Sequence, residues 1–297
     1  MSHLLITGAT GFLGSSITAK FLAEGWTITV LSRNPDQARK KFSSEVSTCS
    51  LSDLTKDPSA RFDAVIHLAG ASIAGGPWTQ KRKGVLWRSR VDGTRTLVAA
   101  LSHMTVPPPV IVSASGMGYY GYRGDEVVRL EDAPGDDFLG RMAAAWETEV
   151  SRAAAFGARV ALVRLGMVLG HGGGALAPLS LTTKLGLGVV MGDGRQYWPW
   201  IHREDAATMF FKAVTDSSIV GPIHGAAGAP LTQRTFAKTL ATVLHRPLLF
   251  WAPAFGLRFV LRELSDLFLH GQRVEPDSRF EFRYPTLEAA LREAVKP

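Results

Sequence analysis

The sequence predicts an α/β protein: a doubly wound parallel sheet covered on both faces by helices, followed by a smaller C-terminal lobe. Three observations carry this expectation. Short apolar, β-branched runs alternate with helical patterns through the first 165 residues. A glycine-rich loop, Gly8-Ala9-Thr10-Gly11-Phe12-Leu13-Gly14, joins the first such run to the first helical pattern. At 297 residues the chain has room for a large α/β unit and an appendage.

The elements follow in order. His3–Thr7 is a short apolar strand, and Phe12–Ala23 carries Leu13, Ile17, Phe21 and Leu22 at helical spacing before Gly25 stops it. Thr27–Leu31 is the second strand, broken by Ser32-Arg33-Asn34-Pro35. Glu45–Leu51 is a weak third strand and Ala64–Leu68 a clearer fourth. A long amphipathic stretch runs over Thr79–His103, then a strand at Val110–Val112, a helix at Asp137–Phe156 and a strand at Ala158–Leu165. After Gly170 the alternation loosens. The chain divides into a sheet domain over 1–165 and a smaller lobe over 166–297, with part of 195–230 returning to the sheet. Residues from about 246 form a terminal module, with helices at Ala254–Leu264 and Leu287–Val295 around a strand at Phe280–Phe282.

Composition narrows the function. Hydrophobic residues make up 46% and charged residues 20%, which excludes a disordered chain. Cys49 is the single cysteine, so neither an internal disulfide nor a cysteine-based zinc site can form; no metal is expected. No run of about 18 apolar residues appears, and the N-terminus lacks a signal-peptide pattern. A cytoplasmic protein without a membrane partner is expected. The net charge of +7 includes a dense patch at Lys81-Arg82-Lys83, Arg88 and Arg90. Without a groove-reading motif this reads as a solvated helix face plus phosphate-binding arginines, and no nucleic-acid partner is expected.

The glycine loop is the strongest local signal. Glycine lets the backbone turn tightly against a pyrophosphate, whose charge sits at the positive end of the following helix. Strand, loop and helix come in the order that a Rossmann-type dinucleotide site requires. The end of the second strand selects the cofactor: Asp or Glu there would bond a ribose 2′-hydroxyl, whereas Ser32-Arg33 offers a hydroxyl and a guanidinium to a 2′-phosphate. The expected cofactor is NADP(H).

The ordered series of motifs resembles the extended short-chain dehydrogenase/reductase superfamily, in particular an atypical epimerase-like subgroup of unknown substrate. The series comprises the glycine loop, Ser32-Arg33, Val65–Gly70, Trp78, Ser89–Thr94, Ser113–Gly121, Asp136–Leu139, Trp146-Glu147, Arg164–Gly170, Gly192–Gln196 and Trp200–His202. Gly271–Val274 and Phe282–Pro285 are similar to the subgroup's C-terminal module. The resemblance implies that Gly8, Gly11, Phe12, Leu13 and Gly14 hold the pyrophosphate and that Ser32 and Arg33 hold the 2′-phosphate. It implies that Leu68, Ala69 and Gly70 line the adenine-ribose side, with Asp53-Leu54 flanking adenine. Arg90 would meet a phosphate or else belong to the solvated basic face, and Val168 would lie near the nicotinamide.

The catalytic pattern of the superfamily is broken. Its usual Tyr-x-x-x-Lys falls on Leu139 and Ala143, and residues 125–160 contain neither tyrosine nor lysine. Ser115 matches the hydroxyl position. Where sugar-nucleotide epimerases carry a diphosphate-gripping Arg, this chain has Trp198, with Arg195 three residues earlier. Those rings would wall an apolar pocket or pack the lobe interface. Candidate acid–base groups are therefore Ser115, Tyr119, Tyr120 and His202. The expected function is an NADP(H)-dependent oxidoreductase or epimerase-like protein acting on an unidentified small molecule; the alternative is a non-catalytic NADP(H)-binding regulator. A monomer and a homodimer through Thr79–His103 and Asp137–Phe156 both fit.

Overall fold

The computed structural model describes residues 1–42 and 44–296. Strands β1 (His3–Thr7), β2 (Thr27–Leu31), β3 (Val46–Cys49), β4 (Ala64–His67) and β5 (Val110–Gly116) are joined by helices. These are α1 (Phe12–Ala23), α2 (Pro35–Arg39), α3 (Leu51–Lys56), and α4 (Gln80–Trp87), which passes through a π turn at Arg88–Asp92 into α5 (Gly93–Ser102). Then come β6 (Val127–Val128), α6 (Phe138–Ser151), β7 (Arg159–Leu165), β8 (Met167–Leu169), α7 (Leu176–Lys184), β9 (Val189–Met191) and β10 (Trp200–His202). The chain ends with α8 (Arg203–Thr215), β11 (Gly221–Gly225), α9 (Gln233–Val243), β12 (Phe250–Ala252), α10 (Ala254–Leu261), α11 (Asp266–Leu269), β13 (Arg273–Val274) and α12 (Leu287–Ala294).

Seven strands form one parallel sheet in the order β11-β7-β5-β4-β1-β2-β3. Leu4, Leu5, Ile6 and Ile66 are fully buried, because helices cover both faces; such strands read as continuous apolar runs instead of alternating ones. From β1 the chain winds outward through β2 and β3, then crosses to begin β4 on the other side of β1. The carboxyl ends of β1 and β4 therefore open the crevice in which ligands bind in open α/β sheets. Gly221–Gly225 returns to the sheet edge beside β7.

Outside the sheet are three two-stranded pairs, β8 with β10, β9 with β12, and β6 with β13, the last tying residues 127–128 to the C-terminal part of the chain. Phe280–Phe282, expected as a strand, is irregular. The Phe280 ring is buried in the core, and the backbone N–H groups just beyond, of Arg283 and Tyr284, donate to the Asp205 carboxylate at 2.7 and 3.1 Å. A side chain satisfies this backbone where a ladder was expected.

Candidate active site

The glycine loop shows why each glycine stands where it does. Gly8 has φ +72°, and a Cβ on it would lie 2.9 Å from the Leu68 carbonyl carbon. A Cβ on Gly14 would lie 2.2 Å from the Gly8 oxygen, and one on Gly11 3.2 Å from the same atom. The loop is closed by the Gly11 N–H donating to Gly8 O at 3.0 Å. No side chain caps α1 at Gly11, so its first-turn N–H groups face the crevice. Phe12 turns outward against Gly170, Gly173 and Gly174, and Leu13 packs partly buried on the core. At Gly8 and Gly14 a side chain would collide with the loop's own backbone or with that of Leu68, so the tight turn depends on glycine there.

The Leu68-Ala69-Gly70 strand end is held against this loop by a buried relay. The Thr7 hydroxyl accepts from the N–H groups of Leu68 and Ala69 at 3.1 and 3.2 Å, which leaves its own proton for His67 Nδ1 at 2.7 Å. His67 then donates from Nε2 to Thr94 at 2.8 Å. Burial pushes the His67 imidazole down to about 4, keeping it neutral. Arg90 is not on a solvated face. Its guanidinium is buried, lies 3.1 Å from where a Gly70 Cβ would stand, donates to Ala71 O at 3.0 Å and sits 5.4 Å from the Trp146 ring. Two more members of the basic patch are engaged: Arg82 donates to the Ser72 carbonyl and Lys83 pairs with Glu263.

At the end of β2, the Ser32 hydroxyl closes a turn by accepting the Asn34 N–H at 3.1 Å. Arg33 projects exposed. Lys41, not singled out by sequence, reaches back to Thr10 O at 3.4 Å and brings a second cation over the glycine loop. The Asp53 carboxylate is occupied with Ser50 in a helix-capping box, which assigns it to local structure.

The candidate acid–base groups separate sharply. Ser115 donates to Glu147 Oε1 at 2.6 Å, and Glu147 forms a two-pronged buried pair with Arg164 at 2.9 and 2.8 Å. Arg164 also donates to the Tyr120 hydroxyl at 2.7 Å, which donates onward to His224 Nε2 at 2.6 Å. Tyr120 is fully buried and burial raises its phenol to about 12; burial also lowers His224 to about 4. Tyr120 is thus a structural member of this network and not an accessible acid. His202 is also structural: buried, it caps α8 by accepting the Glu204 N–H at 3.3 Å, its ring lies 4.0 Å from that of Tyr284, and burial lowers its pKa. Tyr119 differs. It is partly buried, the Arg164 guanidinium lies 3.5 Å from its ring centre, and its hydroxyl has no protein partner among the described residues.

Leu139 packs on Gly118, whose Cβ would stand 3.2 Å from it, and Ala143 is buried. Around them lie Trp78, Phe138, Met142, Leu264 and Phe268 in one apolar cluster. Of the two roles open to these rings, packing fits: Trp198 and Trp200 are buried, Trp198 packs edge-on against Phe236 beside a small cavity that it lines with Leu179 and Thr183, and Trp200 packs under Gly228. Arg195 is exposed, 4.0 Å from Asp125. Val168 is half-buried in β8, its carbonyl 3.0 Å from where a Gly174 Cβ would stand, behind the loop that meets Phe12.

Residues 4–223 match the model of the NAD-dependent epimerase/dehydratase family, and residues 252–294 match a domain of unknown function, DUF1731. The chain belongs to the NAD-dependent epimerase/dehydratase family. It is 36% identical to epimerase family protein YfhF of Bacillus subtilis over 99% of this chain and 98% of that one. It is 33% identical to the bovine epimerase family protein SDR39U1, with 99% of each chain covered. The human SDR39U1 structure, solved with NADPH, superposes with a TM-score of 0.90 at 29% identity over 99% of both chains. A UDP-glucose 4-epimerase of Thermotoga maritima shares the fold alone, with a TM-score of 0.79 at 17% identity over 99% of this chain and 97% of that one.

Within this epimerase/dehydratase fold, sequence reading missed three side chains. Lys41 carried no signal, since it lies in an exposed basic run. His224 could be found only through its partner Tyr120. Arg203 directly follows the Trp200–His202 motif; it lies 5.0 Å from the Phe12 ring and donates to His171 O at 3.2 Å, while its buried Nε has no protein partner among the described residues.

Proposed function

We propose that this family member is an NADP(H)-dependent oxidoreductase for a small, largely apolar molecule, with Tyr119 exchanging the substrate proton. The observation that carries the reading is the cradle of Gly8, Gly11 and Gly14, in which a Cβ at any of the three would meet backbone at 3.2 Å or less. It opens at the sheet's crossover crevice beside Ser32, Arg33 and Lys41. A bound NADP(H) supplies or accepts the hydride. The glycine loop and first turn of α1 would hold its pyrophosphate, Arg33 its 2′-phosphate, and Leu68-Ala69-Gly70 its adenosine side; the NADPH of the human relative supports this assignment. The apolar cluster around Leu139 favours a substrate without a diphosphate, and Arg195 pairs elsewhere.

The test is consumption of NADPH by the purified protein across carbonyl compounds and activated alkenes. Turnover is expected, with Tyr119→Phe lowering kcat by about 10²-fold or more at unchanged KM, the effect of removing a general acid. Tight NADPH binding with no turnover across the panel would overturn it. A second reading, an NADP(H)-binding regulator, is favoured by one observation: Ser115 spends its hydrogen bond on Glu147 while Leu139 and Ala143 stand where the proton relay would be.

A further inference from the structure

Most of the apolar surface that this protein exposes is gathered in one place. Helix α10, Ala254-Phe255-Gly256-Leu257-Arg258-Phe259-Val260-Leu261, has no buried residue, and Phe255 and Phe259 are 77% and 87% exposed. Leu249 and Trp251 are exposed on the approach to it. Leu185 is exposed alongside, because β12 pairs with β9 and Arg246 donates to the Lys184 carbonyl at 2.9 Å. A soluble monomer rarely leaves so many large side chains adjacent and open to water.

The charges around this ridge identify its occupant. Lys184, Arg246, Arg258 and Arg262 are exposed, and none has a carboxylate in ion-pair range among the described residues. Of the nearby acids Glu263 pairs with Lys83 at 2.5 Å, while Asp266 lies 3.8 Å from His270 and Asp193 accepts the Arg195 backbone N–H, so the four open cations outnumber these last two carboxylates. A second copy docked on this face would set like cations against each other. Leu257 and Leu261 are partly buried, Leu261 against the apolar cluster at Leu139, and the residues of the helix left exposed are Phe255, Arg258, Phe259 and Val260, rings and cation together. An anionic bilayer answers both features, because headgroups attract the cations and the acyl boundary takes the rings.

We infer that α10 and its flanking loops form a docking surface for an anionic membrane. The helix lies in the interface and does not span it: eight residues rise about 12 Å against a hydrocarbon core of about 30 Å. No helix among the described residues is long and apolar enough to cross a membrane. The segment that follows α10 carries Leu264 and Phe268 into the apolar cluster at Leu139, so the docked face is anchored on that buried cluster.

The experiment is co-sedimentation of the full chain with phosphatidylglycerol/phosphatidylcholine vesicles and with phosphatidylcholine alone. Selective partition onto the anionic vesicles is expected, weakening as salt rises. Two independent double variants, Phe255→Ser/Phe259→Ser and Lys184→Glu/Arg258→Glu, should each lower the partition by about tenfold or more. All four sites are exposed, so the unfolding midpoint should stay at the wild-type value. Three results would overturn the inference: no preference for anionic vesicles at low salt, variants that partition like wild type, or a dimer that the phenylalanine variants dissolve. None of these readouts involves turnover, so the outcome is independent of the oxidoreductase reading.

Discussion

At the scale of single residues, the chain uses buried histidines as neutral connectors. His67 and His224 each accept a hydrogen bond from a hydroxyl group, and burial holds both near 4. In the unfolded chain they titrate near 6.5. Between these values the unfolded state binds protons that the folded state refuses, so their contribution to stability is complete above pH 6.5. It is lost as pH falls toward 4. For His67, fully buried, the loss at pH 5 is about 2 kcal/mol. Urea unfolding at pH 7 and pH 5 should show it as a lower midpoint at pH 5, and His67→Gln should flatten the difference while lowering stability at pH 7. A wild-type midpoint independent of pH over this window would contradict the assignment. The acid–base candidates teach the same lesson. Ser115, Tyr120 and His202 carry the chemistry a proton relay needs, yet burial and partners, invisible in sequence, commit them to structure. Tyr119, next to Tyr120 in the chain and edge-on to its ring at 5.2 Å, keeps a hydroxyl with no protein partner among the described residues.

At the scale of elements, the parallel sheet was legible because its strands are buried on both faces and read as unbroken apolar runs, as in Leu4-Leu5-Ile6 and Ala64-Val65-Ile66. Helix ends were legible where a capping residue precedes them, as Asp137 does before α6. The terminal module was less so. Phe280–Phe282 has the apolar pattern of a strand, but its position is set by Asp205, 75 residues earlier, whose carboxylate takes two backbone N–H groups next to it. No local pattern announces a partner that distant. Asp205 is buried and its pKa is raised by desolvation, so these two donors are what make it tolerable there. Asp205→Ala should leave the sheet intact and release residues 280–294. Hydrogen exchange should show their protection falling by about tenfold or more while that of β1, β4 and β5 is unchanged, since hydrogen bonds to a charged acceptor are each worth about 1.5–3 kcal/mol. Loss of protection across the whole chain would instead make Asp205 a global keystone.

At the scale of the whole molecule, the glycine cradle, the free Arg33 guanidinium and Lys41 lie around one crevice, so binding there should report on all of them together. A ligand that binds only the folded state stabilises it by about 2.7 kcal/mol at a hundred times its dissociation constant. For a chain of this size that raises the melting temperature by roughly 5 °C. NADPH should produce such a shift at concentrations where NADH produces little, because only NADPH carries the 2′-phosphate that Arg33 can pair with. Arg33 is exposed and pairs with no other described residue, so Arg33→Ala should leave the melting temperature of the free protein unchanged and bring the NADPH shift down to the NADH value. Lys41→Ala should lower the NADPH shift by less, since Lys41 reaches the loop from its carbonyl side. Equal shifts for the two cofactors in the wild-type chain would remove the 2′-phosphate from the site. The guanidinium at the end of the second strand would then be a solvated turn residue, and the crevice would have to choose its dinucleotide by other means.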